Sequence, residues 1–201
     1  MTRYIGQTID VLLNRVRQSG GIAIDPDLAT RIYSYCEQVI NTYTRRVTAT
    51  TTLTTGAEKL VYNYRREITD AIDIVSVRDS GRRVERQQWL GALAAYDQTW
   101  FRNITGTRYE LWAQVGRDIL VLYPAKASAS SVTVQYTKLL TYHDDFSASY
   151  NTASELPDED VESALSLAEV VLLTRNRQLA EVKLRLADFA ETVRLRGRND
   201  A

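Results

Sequence analysis

The chain of 201 residues has one cysteine, one histidine, one methionine and three prolines, and its 25 basic residues balance its 25 acidic ones. Each scarcity excludes something. A lone Cys36 leaves no intramolecular disulfide to form, so no disulfide scaffold stands in for a hydrophobic core. One His and one Cys without clustered ligand spacing make a transition-metal site unexpected. A formal charge of zero supplies no long-range field towards nucleic acid or an anionic membrane. The longest apolar run falls far short of a membrane span, and no secretory leader is read ahead of Ile9. Folding in a cytoplasm is therefore expected, with no membrane partner. No glycine-rich phosphate loop, nucleophile elbow or helix-borne His pair occurs. His143-Asp144-Asp145 has an acid/base look, but it lies in Ser- and Asn-rich text where no held geometry is expected. Asp158-Glu159-Asp160 reads as helix-start acids rather than a cation site. No catalytic, cofactor-binding or metal residue is assigned, and no enzyme activity is expected.

What is present is ample for a core: 44% of residues are hydrophobic, enough for one domain or two small ones. The C-terminal stretch from Asp158 to Arg196 is strongly helical. Leu156-Pro157-Asp158-Glu159-Asp160 marks its start with a proline and three acids at the positive end of the helix dipole. Val161, Ala164, Leu165, Ala168, Val171 and Leu172 form a broad apolar face, widened by Leu167, Val170 and Leu173 until little polar surface remains. A break is expected at Thr174-Arg175-Asn176-Arg177, one long bent helix being the alternative. Beyond it, Leu179, Val182, Leu186, Phe189 and Val193 fall within about 80° on a helical projection, the spacing of a buried stripe. Near the start, Ile5, Ile9, Leu12, Leu13 and Val16 recur at helical spacing until Gly20-Gly21. Asp25-Pro26-Asp27 opens a second helix whose expected buried face is Leu28, Ile32, Tyr35, Val39 and Tyr43.

Between these helical ends the text changes. From Val47 to Thr55 six of nine residues are threonine, which suits an exposed or half-exposed strand. Leu60, Tyr62 and Tyr64 alternate, as do Ile72, Ile74 and Ser76 against Val75 and Val77. Asp79-Ser80-Gly81 is a hairpin turn into Arg82-Arg83-Val84. Gln87 to Tyr96 reads as a short helix or irregular crossing. Tyr109 to Val115 and Ile119 to Tyr123 flank a turn at Gly116-Arg117-Asp118, and Val132 to Tyr136 is the last strand. The expected class is α+β: a helical bundle of residues 1–47 and 156–201, an inserted antiparallel β-sandwich or barrel-like module over 48–141, and a mobile linker over 142–155.

The basic residues are lopsided, 21 Arg to 4 Lys. Arg is favoured where a charge sits in a partly buried contact, because its planar fork pairs bidentately; an arginine-rich coding composition is the alternative. The pairs Arg45-Arg46, Arg65-Arg66 and Arg82-Arg83 suit salt bridges to an acidic partner surface better than phosphate contacts, given the absent net charge.

The order of parts resembles the head-to-tail adaptor (head-completion, or connector) proteins of tailed bacteriophages. The likeness rests on two N-terminal helices, then Leu111-Trp112 through Gly116 to Ile119-Leu120, Leu122-Tyr123-Pro124, then Val132-Thr133-Val134-Gln135-Tyr136, then Leu156-Pro157 opening the C-terminal helices. The Thr-rich first strand and a missing proline-rich run after the last strand depart from the pattern. The resemblance implies a virion structural protein of the neck, made in the host cytoplasm, with no catalytic residues. It implies a helical base docked as a dodecameric ring under the portal protein, and a β insertion facing outward or towards the tail. Neighbouring copies, a tail or tail-terminator protein and passing DNA, bound without sequence specificity, are the implied partners. A nucleic-acid-handling or small enzymatic domain on a helical base is the rival reading. On the last helix, Leu184 and Leu195 lie about 140° and 160° from Leu179, opposite the Phe189 stripe, beside Arg194, Arg196 and Arg198. These five residues are the expected contact with portal or a neighbouring subunit.

Overall fold

The computed structural model describes residues 3–87, 91, 95, 99, 101 and 106–199, with side chains as far as 191. It divides into two compact units, Met1–Val47 with Leu140–Ala201, and Thr48–Leu139. Among the described residues there are five helices and two four-stranded sheets, a mixed α+β chain.

In the helical unit, α1 (Ile5–Gly20) stops at Gly21, whose left-handed φ of 64° lets its N–H reach back to the Arg17 carbonyl. Helix α2 (Pro26–Thr44) begins with proline at its first position and ends at Arg45, also left-handed. A single turn, α3 (Phe146–Ser149), precedes α4 (Asp158–Arg175) and α5 (Leu179–Asn199). The break falls at Asn176 to Gln178, where Arg177 has φ 59°. Helix α4 touches α1, α2 and α5. That explains its near-continuous apolarity: Val161, Ala164, Leu165, Ala168, Val170, Leu172 and Leu173 are all buried. They meet Ile5, Ile9, Leu12 and Val16 of α1 and Ala29, Tyr33, Cys36 and Ile40 of α2 in one core. Among the described residues no helix is long and apolar enough to cross a membrane.

Two expected faces turn out differently. Helix α2 buries Ala29, Tyr33, Cys36 and Ile40, and leaves Tyr35 and Tyr43, 63% and 76% accessible, in solvent. Among the described side chains of α5 only Val182 is buried; Phe189 is half-buried against the core, Leu179 and Leu186 are exposed, and Val193 lies outside the described side chains. Helix α5 packs chiefly on α4, so the line it buries is narrow.

The expected linker over 142–155 is not a free connector. Leu140 N–H donates to Gln38 Oε1 at 3.1 Å, His143 N–H to Ser34 Oγ at 2.9 Å and Phe146 N–H to Asp27 Oδ1 at 2.9 Å, three successive anchor points along α2. Further on, Ala153 bridges to Tyr4 and Ser154 N–H donates to the Arg3 carbonyl. These contacts satisfy a backbone that forms little regular structure of its own. The segment is a strap belonging to the helical unit.

In the β unit, β1 (Thr48–Thr55), β8 (Ser130–Lys138), β3 (Ala71–Asp79) and β4 (Arg82–Arg83) form one sheet in that order. The other runs β2 (Val61–Asn63), β7 (Ile119–Tyr123), β6 (Leu111–Val115) and β5 (Glu85–Gln87). Neither closes on itself, so the barrel alternative is excluded for the described residues, and the β5–β6 pair is parallel rather than antiparallel. Leu53, Ile74, Val77, Val132 and Val134 of the first sheet share a core with Tyr62, Trp112, Leu120 and Leu122 of the second. Strand β3 buries Ala71, Ile74 and Val77 rather than alternating strictly, because two register shifts against β8 each reset the side-chain parity. The crossing expected over Gln87 to Tyr96 lies mostly outside the described residues.

Candidate functional site

Two exposed apolar sets lie on the helical unit. Tyr35, Val39 and Tyr43 recur every four residues along α2, so they form one line on its outer side, all exposed. Scattered exposed leucines mean little, but two tyrosines and a valine in line make an apolar strip with polar tips, the composition of an interface core. A second exposed set, Leu179, Leu184 and Leu186, lies on α5, with Leu184 62% accessible. Leu184 is therefore in solvent as expected. Arg194, Leu195, Arg196 and Arg198 fall within the α5 span, but their side chains lie outside the described ones. The aromatic strip on α2 escaped sequence reasoning because its spacing is equally that of a buried face.

Why α2 turns its other side inward is visible in its polar residues. Ser34, Glu37 and Asn41 are buried beside Tyr33, Cys36 and Ile40, and most of that polarity serves the strap. Glu37, 3% accessible, accepts a 2.8 Å hydrogen bond from the Ser154 hydroxyl. Burial raises its carboxyl to about 7, and the nearby Glu155 charge adds to this against the lowering influence of the Ser154 hydrogen bond and the neighbouring Tyr33 hydroxyl. Burial likewise pushes the Cys36 thiol up to about 12, with help from Glu37, which leaves it a packing residue with little thiolate.

The acid/base grouping at 143–145 is occupied with structure. Asp145 caps α3, its carboxylate accepting from Ala148 N–H at 2.9 Å. His143 Nδ1 lies 3.3 Å from the Ser149 hydroxyl, and burial lowers its pKa against the raising influence of Glu155 and Asp144. Asp158-Glu159-Asp160 opens α4, where Arg46 pairs with Glu159 and lies 3.8 Å from the buried Asp160. Among the described residues no three His, Cys, Asp or Glu side chains gather as a metal site. Behind the α4–α5 contact, buried Glu169 is held by Arg185 at 3.1 Å and by the Ser19 hydroxyl at 3.0 Å, tying α5 to α1 through α4.

The three arginine pairs have separate fates. Arg46 serves α4, and Arg65 donates to the Ala71 carbonyl at 2.6 Å and approaches Asp118 at 3.7 Å. Arg82 and Arg83 form no ion pair among the described residues. No protein-family model and no curated protein matches the chain.

Proposed function

We propose that the chain is a structural virion protein of a tailed bacteriophage, a head-to-tail adaptor docking as a dodecameric ring under the portal. In this reading the helical unit is a bundle base, the two sheets are a sandwich, and the β unit offers the attachment surface for the tail. DNA passes through the ring without sequence-specific contacts.

The observation that carries this reading is apolar exposure on two different helices of one unit: the strip Tyr35-Val39-Tyr43 on α2, and on α5 Leu184, which lies on the side of the helix opposite exposed Leu179 and Leu186. A contact joining two unlike faces is head-to-tail and propagates, and it closes into a ring when the rotation per subunit allows. The order of parts supports it too: helices from both ends of the chain share one core, with the strands inserted between them. Leu184 and the α5 end from Arg194 to Arg198 are assigned to portal or a neighbouring subunit. Mixing the protein with purified portal should yield rings in negative stain, and Leu184→Asp with Leu195→Asp should abolish them while leaving the melting temperature unchanged. Rings formed equally well by the double variant would remove α5 from the interface.

A further inference from the structure

The β3–β4 hairpin carries a cluster of arginines that form no ion pair among the described residues. Ser80 and Gly81, with φ 50° and 81°, make the tight turn that sets Asp79 opposite Arg82 and Arg78 opposite Arg83. Asp79 does not offset Arg82, because its carboxylate is turned inward and buried. It receives Lys126 Nζ at 2.8 Å and the Tyr109 N–H at 2.8 Å. Burial pushes Asp79 up, yet those hydrogen bonds outweigh it and hold the group below the ordinary carboxylate range. The same Tyr109 bond fixes Arg108 beside the hairpin, and the Tyr109 ring covers Lys126 at 4.6 Å. Arg82, Arg83, Arg108, Glu85 and Glu110 then line one groove.

Arg78 and Arg83 are like charges held directly opposite, an arrangement that destabilises a strand pair. Among the described residues no carboxylate pairs with Arg78, Arg82, Arg83 or Arg108, and the adjoining stretch 88–105 contains a single acid, Asp97, against Arg102. A repulsion kept on a rigid turn, on top of a buried ion pair that locks its geometry, is what a preorganised docking site for carboxylates requires. Glu85 and Glu110 decide between anions. In the same groove they repel a phosphate backbone, while a protein segment of mixed charge can answer them with a basic residue.

We infer that this groove docks a partner protein's acidic segment, in which carboxylates engage Arg82, Arg83 and Arg108 and a basic residue meets Glu85 or Glu110. The inference stands apart from the adaptor reading: it concerns the β unit alone and survives a failure of ring assembly. The test uses the full chain and a labelled peptide of four glutamates around one lysine, followed by fluorescence anisotropy near physiological salt, with a short DNA duplex as competitor. The protein should bind the peptide, and Arg83→Ala with Arg108→Ala should weaken binding roughly tenfold. Arg17→Ala with Arg31→Ala, exposed on the helical unit, should leave it unchanged. Arg83→Glu, which relieves the clash with Arg78, should abolish binding with a melting temperature equal to or above that of the parent. Absent peptide binding, binding indifferent to Arg83 and Arg108, or a duplex that displaces the peptide more effectively than unlabelled peptide does, would each overturn the inference, the last in favour of nucleic acid.

Discussion

Glu37→Gln isolates the strap from everything else in the helical unit. Glu37 sits on α2 with its oxygen bonded to Ser154, and burial raises its carboxyl from an ordinary 4.5 to about 7. The folded state therefore holds the proton more tightly than the unfolded chain. Stability from this group is complete below the unfolded value and is lost as pH rises through about 7. The rise from 4.5 to about 7, at about 1.36 kcal/mol for each tenfold change in proton affinity, makes the full swing about 3 kcal/mol. Gln keeps an oxygen for the Ser154 hydroxyl and cannot ionise, so the variant should lack that swing and be the more stable protein at about pH 8. His143 pulls the other way: its lowered pKa means stability that falls as pH drops through the ordinary histidine range. Subtracting the variant's urea-unfolding free energy from the parent's, followed by helical circular dichroism from about pH 5 to 8, cancels His143 and every other shared group. A difference that is flat over that interval, or that grows in the parent's favour with rising pH, would refute the assignment of a buried, proton-holding Glu37.

The core ranking predicts that Leu172→Ala, at a fully buried side chain of α4, costs roughly 2–5 kcal/mol in urea unfolding, whereas Phe189→Ala, at a half-buried side chain of α5, costs about 1–2 kcal/mol. Equal costs would mean that α5 is packed as deeply as α4. Lys126→Met leaves Asp79 buried and uncompensated, so it should cost roughly 3–5 kcal/mol. Adding Asp79→Asn, which keeps an acceptor for Tyr109 N–H, should recover most of that, and a double variant no better than the single would contradict the pairing. Replacing His143 with Ala should leave α3 in place by nuclear magnetic resonance, because the Asp145 cap does not depend on it; loss of α3 would assign that turn to the imidazole.

Helix ends were legible because their signals are local. Gly20-Gly21, Asp25-Pro26 and Leu156-Pro157 each act on the turn they stand in, and the β6–β7 hairpin needs only Gly116, with φ 60°, between two apolar strands. Faces were legible only when one side was plainly greasier. Helix α4 qualified, but α2 presents two apolar lines, and the one that is buried carries Ser34, Glu37 and Asn41 beside Tyr33 and Ile40. Those polar residues are tolerable inside because most of them bond to the strap, over a hundred residues away in sequence in the case of Ser34 and Glu37. Periodicity within one helix carries no information about such distant partners. The same blindness hid the Asp79–Lys126 pair, 47 positions apart, and with it the reason the hairpin arginines stand where they do. Leu184 was found on α5 because it lies off the line of Val182 and Phe189 that α5 turns to the core.

The adaptor reading turns on whether the exposed strip on α2 is an assembly surface. Tyr35→Asp with Tyr43→Asp adds two charges to side chains 63% and 76% accessible, so the free protein should melt within a degree or two of the parent. Parent and variant would each be mixed with purified portal and imaged in negative stain at one concentration and salt. The account predicts dodecameric rings on portal for the parent and isolated protein for the variant. Parent protein that never rings on portal, or a variant that rings as readily as the parent, would contradict it.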